Sequence, residues 1–253
     1  SDSAPPECKS SAAAFNVLCG SRPGYGADVP SGAARLRRDS KVSLPPKGLV
    51  FADATQLLQG KNLSAWTQWR TQLMRSPAEY AEAVKAAGPI QPHVDPLLAK
   101  SPEVYAKFLV ELQQRGLLSF SVERSHTVGV FFVRKKSSDE LRLIIDTRMA
   151  NLRFRDPWST SLPSAAALAA LETPDDSESE LIEDEEDVQC AFYRIKSPDG
   201  MSEEFRRPPI EVRHLLAAGA TGLEGFSPSS RVTPALEVLA MGFSWSLYFC
   251  QLM

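Results

Sequence analysis

The chain has little that would cross-link it or anchor it. Its four Cys (Cys8, Cys19, Cys190, Cys250) are widely spaced, with no Cys-x-x-Cys pair. That excludes a disulfide framework or a zinc ribbon, and suits a reducing, intracellular compartment, cytoplasm or nucleus. His93, His126 and His214 lack metal-ligand spacing. No apolar run reaches the roughly eighteen residues of a membrane span, so no membrane partner is expected. A basic n-region with an apolar core is missing, and the chain opens on Ser1, as a fragment or processed product would. Gly-x-Ser-x-Gly, a Walker loop and Gly-x-Gly-x-x-Gly are all missing, which removes support for hydrolase, kinase and dehydrogenase readings. An overall basic excess is lacking too: 28 Lys and Arg stand against 31 Asp and Glu, a net charge of -3. Averaged over the chain, that argues against a dedicated nucleic-acid binder.

What is present is unevenly distributed. Residues 1–48 are rich in Ser, Ala, Pro and Gly, with a basic cluster at Arg35, Arg37, Arg38 and Lys41. Such a segment buries little apolar area, and disorder is expected. Residues 49–120 read as helical. Ser76-Pro77-Ala78-Glu79 has the form of a capping box, with Gly88 ending that helix. Ser101-Pro102-Glu103 opens another, with Val104, Phe108, Leu109 and Leu112 on one stripe and Gly116 closing it. The period then changes. Val128–Val133 and Leu141–Ile145, joined by the polar turn Lys136–Glu140, predict a β-hairpin. A short helix around Met149–Leu152 and an Ala-rich helix from Ser164 to Leu171 follow. Residues 172–186, and Asp187 after them, form an acidic insertion without a basic residue. Val188–Lys196 reads as a strand, residues 211–234 as loop, and Phe243–Met253 as a buried helix.

Three constellations carry chemistry. At the hairpin, Arg134, Lys135 and Lys136 mark the tip and Arg142 the return strand. Lys135 and Arg142 can form a cationic clamp for polyphosphate, or they are simply solvated. Asp146, Arg148 and Asn151 follow at the strand end and first helical turn. In Asp187–Ile195, Asp187 opens an apolar run and Phe192 follows five residues later. Asp187 can hold a divalent metal, or it merely ends the acidic run. In Leu239–Ser246, Met241 and Gly242 form a bend that admits close backbone approach, with Gln251 on the helix beyond.

In this order, the three constellations resemble the reverse transcriptases of retroelements. Val128–Asn151 looks like the family's fingers hairpin followed by Asp-x-Arg-x-x-Asn. Leu109–Ser121 resembles its lead-in helix, Asp187–Ile195 its first catalytic palm motif, and Leu239–Gln251 the next palm motif. The resemblance implies an α+β right-hand polymerase fold, with fingers over 121–171 and an incomplete palm over 187–253, a small antiparallel sheet backed by helices. It implies a fragment of an RNA-directed DNA polymerase. Lys135 and Arg142 would contact the triphosphate of a deoxynucleotide, with Met241 and Gly242 touching the nucleotide or template base. Asp187 would be a catalytic ligand of Mg2+, and Phe192 a steric gate against the ribose 2′-hydroxyl. Lys136, Asp146, Arg148, Asn151 and Gln251 would support the template side or the structure. The implied partners are an RNA or DNA template with its primer, and deoxynucleoside triphosphates. Ala240 departs from the Pro usual in that motif. The aromatic-x-Asp-Asp motif is missing from the sequence, so two metals would not be held and the chain alone is expected not to polymerise. A non-catalytic interaction domain derived from a polymerase, or a decayed copy, is the alternative expectation.

Overall fold

In the computed structural model, residues 33–122, 128–135, 138–160 and 188–253 are described. Ala34–Met253 is one compact unit; of the other, Ser1–Ala33, only Ala33 is described. The architecture is α+β, with two small sheets among short helices.

The first half is helical. Short helices α1 (Ala54–Leu57), α2 (Gly60–Thr67) and α3 (Trp69–Gln72) bury Trp66 and Trp69. The Ser76 side chain accepts from the Glu79 amide while the Glu79 carboxylate accepts from the Ser76 amide at 2.6 Å. This reciprocal cap opens α4 (Pro77–Ala87), which ends at Gly88 with φ +70°. The short α5 (Pro96–Lys100) starts from Asp95. In α6 (Pro102–Gln113), Phe108, Leu109 and Leu112 are buried as their spacing predicts, and Val104 lies at the core margin.

The hairpin forms from β4 (Gly129–Arg134) and β5 (Leu141–Asp146), in a four-stranded sheet ordered β1-β4-β5-β2 with β1 (Ala33–Ala34) and β2 (Val42–Ser43) at the edges. Its register pairs Val133 with Arg142 and Gly129 with Asp146. Val130, Phe132, Leu141, Leu143 and Ile145 share the core face, where Phe132 meets Phe108 edge-on at 5.8 Å. Val133, Lys135, Glu140 and Arg142 share the open face. Gly129 is required: a Cβ there would lie 2.0 Å from the His93 carbonyl oxygen.

The second sheet is antiparallel, β3 (Leu118–Ser121) and β6 (Ile210–Glu211) flanking β7 (Arg231–Leu236). Two helices, α7 (Arg148–Asn151) and α8 (Val212–Ala217), and the terminal α9 (Ser246–Leu252) complete the set.

Three expectations are corrected. Disorder to residue 48 fails for Ala34–Gly48. There, Leu36 and Leu44 pack on the core, β2 runs parallel to β5, and the Leu36 amide donates to Asp95 at 3.0 Å. A few apolar residues suffice where a sheet edge supplies backbone partners. The strand Val188–Lys196 is instead a turn through Cys190 (φ 58°) and a 3-10 turn, Ala191–Arg194. Only Ile195 and Lys196 bridge neighbours, Ala52 and Val238. The loop 211–234 holds α8 and much of β7, a central strand despite Pro234. The flanking Phe120 and Arg207 segments pair around that proline, and its carbonyl accepts from the Arg207 amide at 2.8 Å. The Ala-rich helix and the acidic insertion lie outside the described residues.

Candidate functional site

The open face of the hairpin is the natural starting point. In an antiparallel pair, Lys135 and Arg142 stand as diagonal neighbours, about 7–8 Å apart in backbone terms. They therefore share a face, as the clamp requires. Arg142 is exposed. Lys135 is not idle: its ammonium donates to Glu140, its direct cross-strand partner, at 3.0 Å. Sequence reasoning missed that partner, although Glu140 stands opposite Lys135 in a hairpin of this register. An incoming polyanion would have to compete with Glu140.

The segment after Asp187 comes to this face. Burial pushes the Cys190 thiol pKa up, and the charges of Lys135, Arg194 and Arg142, in that order, pull against it. All three cations are close enough to Cys190 to be felt electrostatically. The Tyr193 hydroxyl donates to the Leu143 carbonyl at 3.2 Å, fixing the 3-10 turn to β5. Burial holds that phenol protonated well above its ordinary range. Phe192 is half-buried against the core. Asp187 and Lys136 lie outside the described residues.

The third constellation is joined to the first by backbone and side-chain hydrogen bonds. Gly242, at φ +120°, rests so close to the Ile145 carbonyl that a Cβ would sit 2.6 Å from its oxygen. The Gly242 carbonyl accepts from the Thr147 hydroxyl and from the Asn151 amide at 2.9 Å. The Asn151 side-chain oxygen in turn accepts from the Ser244 amide at 3.1 Å. Asp146 receives the Arg148 guanidinium on both oxygens, at 2.9 and 2.8 Å, and the His93 amide at 2.8 Å. Burial pushes the Asp146 pKa up, but these donors outweigh it and hold the carboxyl below its usual range. Asp146, Arg148 and Asn151 are therefore engaged within the chain. Met241 is partly exposed beside Gly242. Gln251 lies exposed on α9. Thr147 and Ser244 were missed; only their place beside Asn151 and Gly242 hinted at a role.

Among the described residues no three His, Cys, Asp or Glu side chains come together as a metal site, and no helix is long and apolar enough to cross a membrane. Comparisons with family models and with curated proteins find no match to this chain.

Proposed function

We propose that the chain is the fingers and front of the palm of a reverse transcriptase, and that the open face of its hairpin binds a deoxynucleoside triphosphate. What supports the reading is that two later segments are joined to the two ends of one hairpin, the Cys190 segment near its tip and Gly242 at the end of β5. Lys135 and Arg142 lie on one face, the segment following Asp187 sits within their field, and Gly242 is held against the end of β5. Arg142 supplies a planar fork and Lys135 a point charge, the pair of donors a triphosphate takes best. Phe192, two residues after Cys190, is the ring that the resemblance assigns to the sugar, and it is half-buried against the core. A magnesium ion would shield the phosphates; the described residues supply no ligand set for it, and no chemical step is assigned to it. The same binding face also serves an interaction domain that has lost catalysis, which the test below separates by its sugar dependence.

The test is titration with a fluorescent deoxynucleoside triphosphate, with and without Mg2+. Lys135→Ala with Arg142→Ala should weaken binding about a hundredfold or more, each lost charge-assisted contact being worth about 1.5–3 kcal/mol. Phe192→Val should narrow the preference for the deoxy over the ribo form. Equal affinity in the double variant would overturn the reading. Unchanged sugar preference in the Phe192 variant would leave only a generic anion site.

A further inference from the structure

A groove of about 550 Å3 uses none of the residues assigned above to the triphosphate. Three short stretches wall it: Phe51–Thr55, the junction of α2 and α3 between Trp66 and Arg70, and the turn Lys196–Asp199. These stretches are tied to one another and to the core. The Ala52 amide donates to the Arg194 carbonyl at 2.8 Å, and the Ser197 amide to the Glu237 carbonyl at 2.9 Å. The Trp69 indole donates to the Asp199 carbonyl at 3.2 Å. The walls are set without help from a ligand.

What the groove lacks is an acceptor. The Lys196 ammonium lies 4.4 Å from the centre of the Phe51 ring and donates to the Gly116 carbonyl. An ammonium carries three donors, so two remain. Lys196 makes no ion pair with any described residue; burial pushes its pKa down, and the field of Glu237 pulls the other way. Next to it, the Ser197 hydroxyl oxygen is buried with no hydrogen-bond partner among the described residues. Arg70 lies over the Trp69 ring at 4.4 Å and also has no ion pair among the described residues. The two acids of the lining do not answer these donors. Asp53 spends its carboxylate on the start of α1, accepting from the Thr55 amide and hydroxyl and from the Gln56 side chain. Asp199 is exposed and pairs with no described cation. A buried polar group without a partner costs free energy that an incoming acceptor recovers.

We propose that this groove binds a small organic carboxylate, its charged end on Lys196 and Ser197 and its apolar body against Phe51, Ala54 and Pro198. An ionised carboxylate only accepts, and its two oxygens have lone pairs enough for an ammonium and a hydroxyl together. The volume falls within the usual range of small-molecule sites and exceeds what a carboxylate alone fills, so the ligand carries a body. A cationic ligand is disfavoured, because Lys196 and Arg70 already occupy the ring faces of Phe51 and Trp69 that would attract it. The inference does not need the triphosphate site to be correct, because its residues are different.

The experiment titrates three probes of one shape into the full chain by calorimetry: naphthoate, the neutral naphthamide and the cationic naphthylmethylammonium. Wild type should bind the carboxylate about tenfold or more tighter than the amide, the worth of one charge-assisted hydrogen bond, and the cation most weakly. Lys196→Met keeps a chain over Phe51 and removes the charge. It should erase the preference for carboxylate over amide while leaving the amide affinity as it was, an outcome that misfolding would not give. Lys196→Arg should retain the preference. Ser197→Ala should weaken naphthoate about threefold or more. The proposal is overturned if wild type binds none of the probes, if it binds all three alike, or if Lys196→Met keeps the preference. The C-terminal residue of a peptide carries the same chemistry, so acetyl-Gly-Gly-Phe with a free carboxylate is titrated as well. Tighter binding of that peptide than of naphthoate would overturn the assignment to a small molecule. Deoxynucleoside triphosphate affinity, read in the same samples, should be unaltered by Lys196→Met, so failure of one site is distinguishable from failure of the other.

Discussion

Two arginines show how differently one side chain can be used in this chain. Arg148 meets Asp146 through both carboxylate oxygens, and Asp146 also takes the His93 amide. Arg207 is fully buried, and none of its three side-chain nitrogens has an acceptor among the described residues. Its surroundings are rings: Phe108 lies 6.0 Å away, and Tyr105 and Tyr193 are close enough to be felt electrostatically. Both phenols already donate elsewhere, to the carbonyls of Pro208 and Leu143. A buried charge adds stability only through what answers it. The first region, with the Gly242 loop attached, is a satisfied network that fixes two motifs against each other. The second is a local weakness within the same core.

The contrast breaks most sharply at Asp146. Asp146→Ala strands Arg148 and the His93 amide, and should lower the unfolding free energy in urea by about 3 kcal/mol. A loss below about 1 kcal/mol would mean that the network is decorative. At Arg207 the sign should reverse. Arg207→Met removes an unanswered charge at similar length, and stability should rise by about 1–3 kcal/mol. A clear loss instead would show that the guanidinium finds a partner in solution. Asn151→Ala should act between these, costing about 1–2 kcal/mol as the Gly242 carbonyl and the Ser244 amide lose a partner. Crystal or amide-exchange data should show the Met241–Ser244 loop loosened and β4 unaffected.

The smallest effect is the response to acid. Asp146 has a folded pKa below its ordinary value, and Glu79, accepting from Ser76, is held down to about 2. A depressed carboxyl contributes stability above its unfolded pKa and loses it as pH falls through the folded one. The melting temperature should therefore be flat from pH 7 to about 5 and decline below about 4. Asp146→Asn should flatten part of that decline. An unchanged acid limb would place the sensitivity elsewhere.

Much of the architecture was legible before the structure. The capping box at Ser76 and the stop at Gly88 depend on bonds within four residues, so local sequence specifies them. The hairpin was legible because alternation of Val130, Phe132, Leu141 and Leu143 marks one core face on two strands joined by a polar turn, and a one-residue slip would expose them. The candidate clamp followed from placing Lys135 and Arg142 on facing strands of that hairpin. Glu140 against Lys135 was equally available from it and was overlooked. The segment Val188–Lys196 misled because an apolar run does not distinguish a strand from a turn anchored by one long side chain, here Tyr193 reaching Leu143.

By itself the sequence determined the helix caps, the hairpin and its two faces, and the residue types available at each motif. These are short-range matters, governed by capping, side-chain period and charge. Only the tertiary structure decided that residues 34–48 would be ordered, that Pro234 would sit in a central strand, and that Asn151 would hold Gly242. It also decided that Arg207 would be buried without an acceptor among the described residues while Asp146 was fully answered. The reason is physical: whether a polar group is satisfied depends on atoms brought from far along the chain, and nothing within a few residues of it records which they will be.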